Sequence, residues 1–451
     1  MCRIQGNQFY SASRACFLAC FLGIAMLANA QKIETGAAVI TLQDAIRRAE
    51  QNEPAFASAV AADKTASIDR YLAKAALLPS VMYHNQVLYT QPNGLKNQAG
   101  QTGSQAAPVF ITNNAVHEYS SQASINQTIG LKQFAETQVA SANAARASAE
   151  LEVARRGLVS TVVGLYYAVS DSETQQRLLA DAFREAQSFT DLTQKREAAR
   201  EAAHADVVRA QLQQQQRQRD LSDITLAADK ARLELAVLLF PDPRTPYFTE
   251  GPAGAPSLPT RDEVNSLAAA NNPELRSALA EVQTNNAEVS SAKAAYLPDL
   301  VLNFTYGIDA PQFATRGPDN ARNLGYSISG TLDIPVWDWF STQKRVKQSE
   351  IRRDAARVAL TATQKRFIAT LEEAYSEASA ARDQLDLLDQ SVSSAEESLR
   401  LTKLRYSAGE STALEVVDAQ NSYLSAESAQ ANGVVRYQTA LATLQLLTGT
   451  L

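Results

Sequence analysis

The octapeptide KAALLPSV, Lys74 to Val81, returns as KAAYLPDL at Lys293 to Leu300. The same 219-residue offset lays Asn52-Glu53-Pro54 over Asn271-Asn272-Pro273 with no gap between the two landmarks. A chain that repeats itself at this scale has to build one architecture twice, so the duplication limits the fold before any local propensity is read. Further on, RYSAGESTALEVVDAQ (Arg405 to Gln420) aligns with REAAREAAHADVVRAQ (Arg196 to Gln211) at an offset of 209. The first copy is therefore longer by 10 residues between Val81 and Arg196. The polar stretch QPNGLKNQAGQTGSQ, Gln91 to Gln105, is the place for them, since surface loops absorb insertions at little cost.

Between the copies lies FPDPRTPYFTEGPAGAPSLP, Phe240 to Pro259, with six of the 15 prolines. Helix cannot continue through it, and it reads as a linker. The organisation expected is a first repeat over 31–239, a linker over 240–259 and a second repeat over 260–451.

Two periodicities alternate within each repeat. After Pro298, Leu300, Leu302, Phe304, Tyr306 and Ile308 share one face, with Val301, Asn303, Thr305 and Gly307 on the other. Asn323 to Val336 repeats the pattern, setting Leu324, Tyr326, Ile328, Leu332 and Ile334 against Gly325, Ser327, Ser329, Thr331 and Asp333. Strands are expected at about 300–309 and 323–336, joined by a loop at about 310–322. Their partners in the first repeat are Val81 to Thr90 and Glu118 to Gly130, around a loop at about 91–117. Alternation alone fits a half-buried hairpin of a soluble sheet. A length of about 10 residues favours strands that cross a bilayer at a tilt.

Elsewhere the pattern is helical. Leu371, Ala378, Leu385, Val392 and Leu399 recur at seven, and Ala374, Ala381, Leu388, Ala395 and Thr402 complete a coiled-coil seam. Ser341 to Arg405 holds no proline and predicts a helix roughly 90 to 100 Å long. Its counterpart, Phe134 to Arg196, has a poorer seam, with Ser172 and Gln176 at core positions.

Charge is mildly acidic, 42 Lys plus Arg against 48 Asp plus Glu, which argues against a nucleic-acid partner. Residues 1–30 read as a secretory signal, with Arg3 and Arg14 ahead of the apolar run Ala15 to Leu27 and cleavage after Ala30. A lipoprotein reading on Cys20 fits less well, because Phe17 stands where leucine belongs and the apolar run continues past the cysteine. Cys2, Cys16 and Cys20 all lie in that signal, so a mature chain would carry no disulfide, thiolate metal site or cysteine nucleophile. No Gly-rich phosphate loop, G-x-S-x-G or metal-ligand spacing occurs, and no cofactor, metal or catalytic activity is expected. His84, His117 and His204 are too dispersed to suggest a ligand set, and the glutamine cluster Gln211 to Asp220 reads as a solvated or inter-helix face.

These features resemble the TolC-like outer membrane efflux protein family, from TLQDAIRRAEQNEPAF at Thr41 to LATLQLLTG at Leu441. The resemblance rests on both Ala-rich helices ending in L-P, on DIPVWDWF at Asp333 and above all on RYSAGESTALEVVDAQNSYLSA from Arg405. It implies a mainly α protomer with membrane β structure: four strands contributed to a trimeric, twelve-stranded outer membrane β-barrel, continued by a periplasmic coiled-coil tunnel. The partners it implies are two further copies, a periplasmic adaptor protein, an inner membrane transporter and outer membrane lipid. Oligomerisation also follows from physics, because four strands leave two open edges that hydrocarbon does not tolerate, so closure must come from other chains.

Pro79, Pro298 and Pro335 stand where strand and helix should meet. At the fourth such junction Gly130-Leu131-Lys132 offers no proline. Glu415 and Asp418 lie three apart after the turn at Gly409, on one helix face. They read either as solvated surface acids or, by the resemblance, as an acidic ring at the periplasmic mouth, with Asp206 linking the hairpin tips in the closed state. The tips are expected at about 197–205 and 406–412, with Arg196, Arg200, Arg405, Tyr406, Gly409 and Ser411 as tip and adaptor-contact residues. Ser411 stands where the family often has arginine, and Arg200 where the first tip usually has glycine. The closed-state ion pair is thus expected to be absent or rebuilt on Arg200 or Arg196. The rival reading is a soluble periplasmic coiled-coil adaptor, which would lack membrane-length strands.

Overall fold

The computed structural model describes residues 38–89, 117–251, 256–310, 312–317 and 320–451. The segment read as a signal, 1–30, and most of the loop at about 91–117 lie outside the described residues. Strand β1 (Ala38–Ile40) pairs with β4 (Tyr247–Thr249) in a small two-stranded sheet. The segment read as a linker thus carries a short strand, for which the β-branched and aromatic residues of Tyr247-Phe248-Thr249 suffice.

The main unit runs through the same order of elements twice. Helices α1 (Leu42–Asn52) and α2 (Pro54–Ala75) lead into strands β2 (Ser80–Tyr89) and β3 (His117–Ile129), then the long helix α3 (Leu131–Ala198) and α4 (His204–Leu239). Helices α5 (Arg261–Asn271) and α6 (Pro273–Ala294), strands β5 (Asp299–Ala310) and β6 (Leu324–Asp333), α7 (Ser341–Ser407) and α8 (Ala413–Thr448) repeat it. At about 1.5 Å per residue, the 68 residues of α3 span roughly 100 Å. Pro54 and Pro273 open α2 and α6 at the first helical position, where a missing N–H costs nothing, and Asn272 Oδ1 accepts from Leu275 N at 2.6 Å as a cap.

The helical core is built along the predicted seam. Leu371, Ala378, Leu385 and Leu399 are buried and Val392 half-buried, with Ala381 buried in the companion register. Val264 and Ala268 of α5 pack on Phe367, Leu371 and Ala378 of α7 and on Ala440 and Leu444 of α8. The polar positions of the first-repeat seam are satisfied locally. Ser172 Oγ bonds the carbonyls of Ala168 and Val169, each at 2.9 Å, and Gln176 Nε2 donates to Thr225 Oγ1 at 3.1 Å.

The four strands pair antiparallel in the order β2-β3-β5-β6, leaving β2 and β6 as edges. Register brings like faces together: Phe304 faces Ile328 and Ile125, Tyr306 faces Tyr326 and Ala123, while Asn303 faces Ser329 and Asn126. Burial along β5 is inverted for a water-soluble sheet. Leu302, Phe304 and Tyr306 are exposed, and Asn303 and Thr305 between them are half-buried. One polar group on the apolar face closes on itself: Ser121 Oγ donates to Asn85 Oδ1 at 2.7 Å and lies 2.8 Å from Tyr83 Oη. Gly307 is required by close approach, since a Cβ there would lie 2.2 Å from the Ser121 carbonyl oxygen.

Pro79 and Pro298 immediately precede β2 and β5. β6 ends at Asp333, short of the Val336 expected from alternation, because Pro335 has no N–H to offer the ladder. The chain then passes through Trp339 (φ 56°) and Phe340 (φ 63°), both left-handed, before α7 begins. Such a backbone costs a non-glycine residue roughly 1–2 kcal/mol. The fourth junction uses Gly130, where a Cβ would meet Asp299 Oδ1 at 1.8 Å.

Candidate functional site at the hairpin tips

The two tips are the same turn made from different residues. In the second, Gly409 (φ 79°) donates to the Tyr406 carbonyl at 3.1 Å and Glu410 to that of Arg405 at 2.9 Å. In the first, Arg200 (φ 67°) and Glu201 donate in the same pattern to Glu197 and Arg196, each at 2.8 Å. Both satisfy the last helical carbonyls by a Schellman motif, which needs a left-handed residue. Glycine supplies it freely at one tip, and Arg200 adopts it against its steric preference at the other.

The helices leaving the tips are capped unequally. At α8, Thr412 Oγ1 accepts from Glu415 N at 3.3 Å, and Glu415 Oε1 accepts from Thr412 N at 3.4 Å, a reciprocal capping box. Ser411 Oγ donates to Glu415 Oε2 at 2.8 Å, and the Arg405 guanidinium lies 3.8 Å from the same oxygen. These contacts, the Ser411 hydroxyl first, hold the Glu415 carboxyl below its ordinary value. α4 has Ala203 at its N-cap and no side-chain cap, although Asp206 occupies the position equivalent to Glu415.

Above the turns the two hairpins are joined through Tyr406. Its ring is buried against Phe189, with centroids 5.3 Å apart, and the Arg196 guanidinium sits 4.8 Å over it. Arg196 also donates to the Tyr406 carbonyl and pairs with Glu201 at 3.6 Å, while Thr193 Oγ1 lies 3.4 Å from Tyr406 Oη. Ala210, Ala413, Val416 and Val417 complete this cluster.

The structure therefore joins Arg196 to Tyr406, and both Arg405 and Ser411 to Glu415. Asp418 is exposed one helical step from Glu415, Asp206 is half-buried and Arg200 exposed, and none of the three makes a side-chain hydrogen bond or ion pair among the described residues. Phe189 and Thr193 were not singled out by sequence reasoning. Their signal was the spacing of Phe189, Thr193 and Arg196 along one face of α3. No cluster of three or more metal-ligating side chains occurs among the described residues. His204 Nδ1 instead lies 2.8 Å from Glu197 Oε1.

The duplicated hairpins, the inside-out sheet and the paired tips agree with the comparison to known sequences. The outer membrane efflux protein profile matches residues 45–239 and 264–450, one segment in each repeat. The chain belongs to the outer membrane efflux protein family. Among relatives of this efflux protein, the pyoverdine export outer membrane protein OpmQ of Pseudomonas aeruginosa is 25% identical over 398 residues, 86% of this chain and 80% of that one. Outer membrane protein OprJ of the same organism is 26% identical over a shorter stretch, 38% of this chain and 36% of that one. The crystal structure of the Campylobacter jejuni CmeC outer membrane channel superposes with a TM-score of 0.75 at 16% identity, covering 94% of this chain and 90% of that one. The protein is an outer membrane efflux channel with a periplasmic helical part, a family of ducts and not of enzymes. The exposed apolar face of its sheet is thereby explained: lipid, not water, is the solvent there. A soluble adaptor would have no use for that face.

Proposed function

We propose that three copies of this chain close their sheets into one twelve-stranded barrel and work as the passive exit duct of a tripartite pump. A periplasmic adaptor would grip the hairpin tips, and an inner membrane transporter would supply the energy. The observation that carries this reading is the inside-out sheet in which the outer edges of β2 and β6 have no partner strand among the described residues. An open edge in hydrocarbon leaves N–H and C=O groups unsatisfied at several kcal/mol each, so neighbouring chains must cover both edges.

At the periplasmic mouth, Glu415 and Asp418 share a helix face near the threefold axis of such an assembly, and their fields overlap within a screening length of about 8 Å. Arg405, Ser411 and Thr412 bind the Glu415 carboxylate, which offsets part of the repulsion in an acidic ring and leaves Asp418 as the freer charge. The test is conductance of the purified protein in a planar bilayer, with the assembly sized beforehand. A three-chain, cation-preferring pore supports the reading, and Asp418→Asn should weaken that preference while leaving the assembly intact. A species that never exceeds one chain, or that conducts nothing, contradicts the duct. A pore whose selectivity Asp418→Asn leaves unchanged removes Asp418 from the mouth.

A further inference from the structure

The glutamine-rich stretch of α4, Gln211 to Asp220, has no part in the barrel or the tips. Two of its side chains, Gln213 and Arg217, line a cavity of about 140 Å³ between the hairpins, roughly 15 Å along the helices from the tip cluster. The facing helices present rows with the same helical spacing: Asp181 and Glu185 of α3, and Gln420, Tyr423 and Glu427 of α8. Ala182, Ala186 and Leu424 complete the lining with apolar surface. Hydrogen-bond donors are short here. Gln420 is 8% exposed and its Nε2 donates to Glu185 Oε1 at 3.3 Å, which fixes its Oε1 as the other end of the amide. That oxygen is buried with no hydrogen-bond partner among the described residues, and such an acceptor calls for a donor. Arg217 is already committed to Asp220, at 3.0 Å, and to Asn421. Positive charge is short as well. Arg184 pairs with Asp181 and Lys403 with Glu185, whereas Glu427 accepts the Tyr423 hydroxyl at 2.6 Å and makes no ion pair among the described residues. Glu396, in an adjoining cavity that shares Glu185 and Tyr423, makes none either, and the Arg400 beside it is bound to Glu397 at 2.7 Å.

We propose that this cavity binds a short aliphatic diamine in its diammonium form. Its two charges balance Glu427 and Glu396, the acids that have no basic partner. Its N–H groups supply the donor that the Gln420 oxygen lacks, and charge-assisted bonds of this kind are the strong ones. A few methylenes between the nitrogens lie against Ala182, Ala186 and Leu424. Two nitrogens are needed because Gln420 and Glu427 are seven residues apart on α8, roughly 10 Å along the axis, too far for one ammonium to bond both. A hard metal ion fits less well, since no cluster of three or more metal-ligating side chains occurs among the described residues. The bound diamine ties α8 to both helices of the first hairpin. The site is complete within one chain and needs no second copy.

The test titrates the full chain with 1,4-diaminobutane at constant ionic strength and reads amide exchange along α3 and α8. Exchange should slow around Asp181 to Ala186 and Gln420 to Glu427 and saturate with concentration. Butylamine, with one nitrogen, should bind about tenfold more weakly, and the fully N-methylated diamine, which keeps both charges and has no N–H, should protect little. Equal protection by the methylated compound would reduce the effect to charge and overturn the proposal. Equal protection by calcium would make this a metal site, and the absence of any saturable protection would remove the site altogether; either result overturns the proposal too. Gln420→Met, of similar length without the acceptor, and Glu427→Gln should each weaken diaminobutane about tenfold. Exchange without ligand shows whether the helices of each variant have packed, and unchanged affinity in both packed variants contradicts the assignment. The ligand series on the unmodified chain decides the matter even where a variant does not fold.

Discussion

In the helical hairpins Leu371, Leu385 and Tyr437 are buried among alanines, with charged residues outside, whereas in the sheet Phe304, Tyr306 and Ile328 stand exposed and Asn303 and Thr305 face inward. The same physics acts in both regions, and only the solvent differs. Water surrounds the hairpins, so apolar area is withdrawn from it; lipid surrounds the sheet, so apolar area is turned toward it.

The largest expected effect tests that contrast by truncation. Leu385→Ala, in contact with Tyr437 and Ala381, should destabilise the helical part by about 2–5 kcal/mol through lost contacts and a cavity. Ile328→Ala should cost less than about 1 kcal/mol in a bilayer, because lipid tails replace what the side chain gave up. Unfolding measured in vesicles compares them, and equal losses would mean that the outer face is packed against protein.

Much of this division was legible in the sequence. Strand alternation, the seven-residue seam and the prolines at 79, 298 and 335 are local signals, so elements and boundaries follow from neighbouring residues. What was hidden depends on through-space contact. Gly130 has its role because Asp299 closes on it, and the cation–π clasp of Arg196 on Tyr406 joins residues 210 apart in sequence. The left-handed Trp339 and Phe340 run against propensity, and no local rule finds them. At the tip, the T-x-x-E spacing of Thr412 and Glu415 was a readable capping signature, and it gives Glu415 a local bonding role alongside any part in a ring.

A smaller effect separates the two tips. Arg200→Gly should stabilise the first hairpin by up to about 1 kcal/mol, the relief of left-handed strain less the entropy glycine adds to the unfolded chain. Gly409→Ala should destabilise the second by a similar amount, about 1 kcal/mol. Thermal unfolding of each variant reads both signs, and matching signs would refute the shared turn.

The smallest effect is on pH. The Glu415 carboxyl titrates below its ordinary value of 4.5, so its bonds to Ser411 and Thr412 contribute at pH above that value and are lost as pH falls through the depressed one. Amide exchange at the start of α8 should accelerate there, and Glu415→Gln should abolish the dependence. The start of α4, which has no side-chain cap, should not share it.

The inside-out sheet is tested most directly by placing a charge on each face at mid-strand. Arginine at Phe304 or Ile328 should cost about 2–4 kcal/mol in a bilayer and sharply lower the folded, membrane-inserted fraction. Arginine at Thr305 or Ser329, neighbouring residues on the opposite face of the sheet, should insert nearly as well as the unmodified chain. Equal damage at both sets, or greater damage at Thr305 and Ser329, would contradict the assignment of the apolar face to lipid.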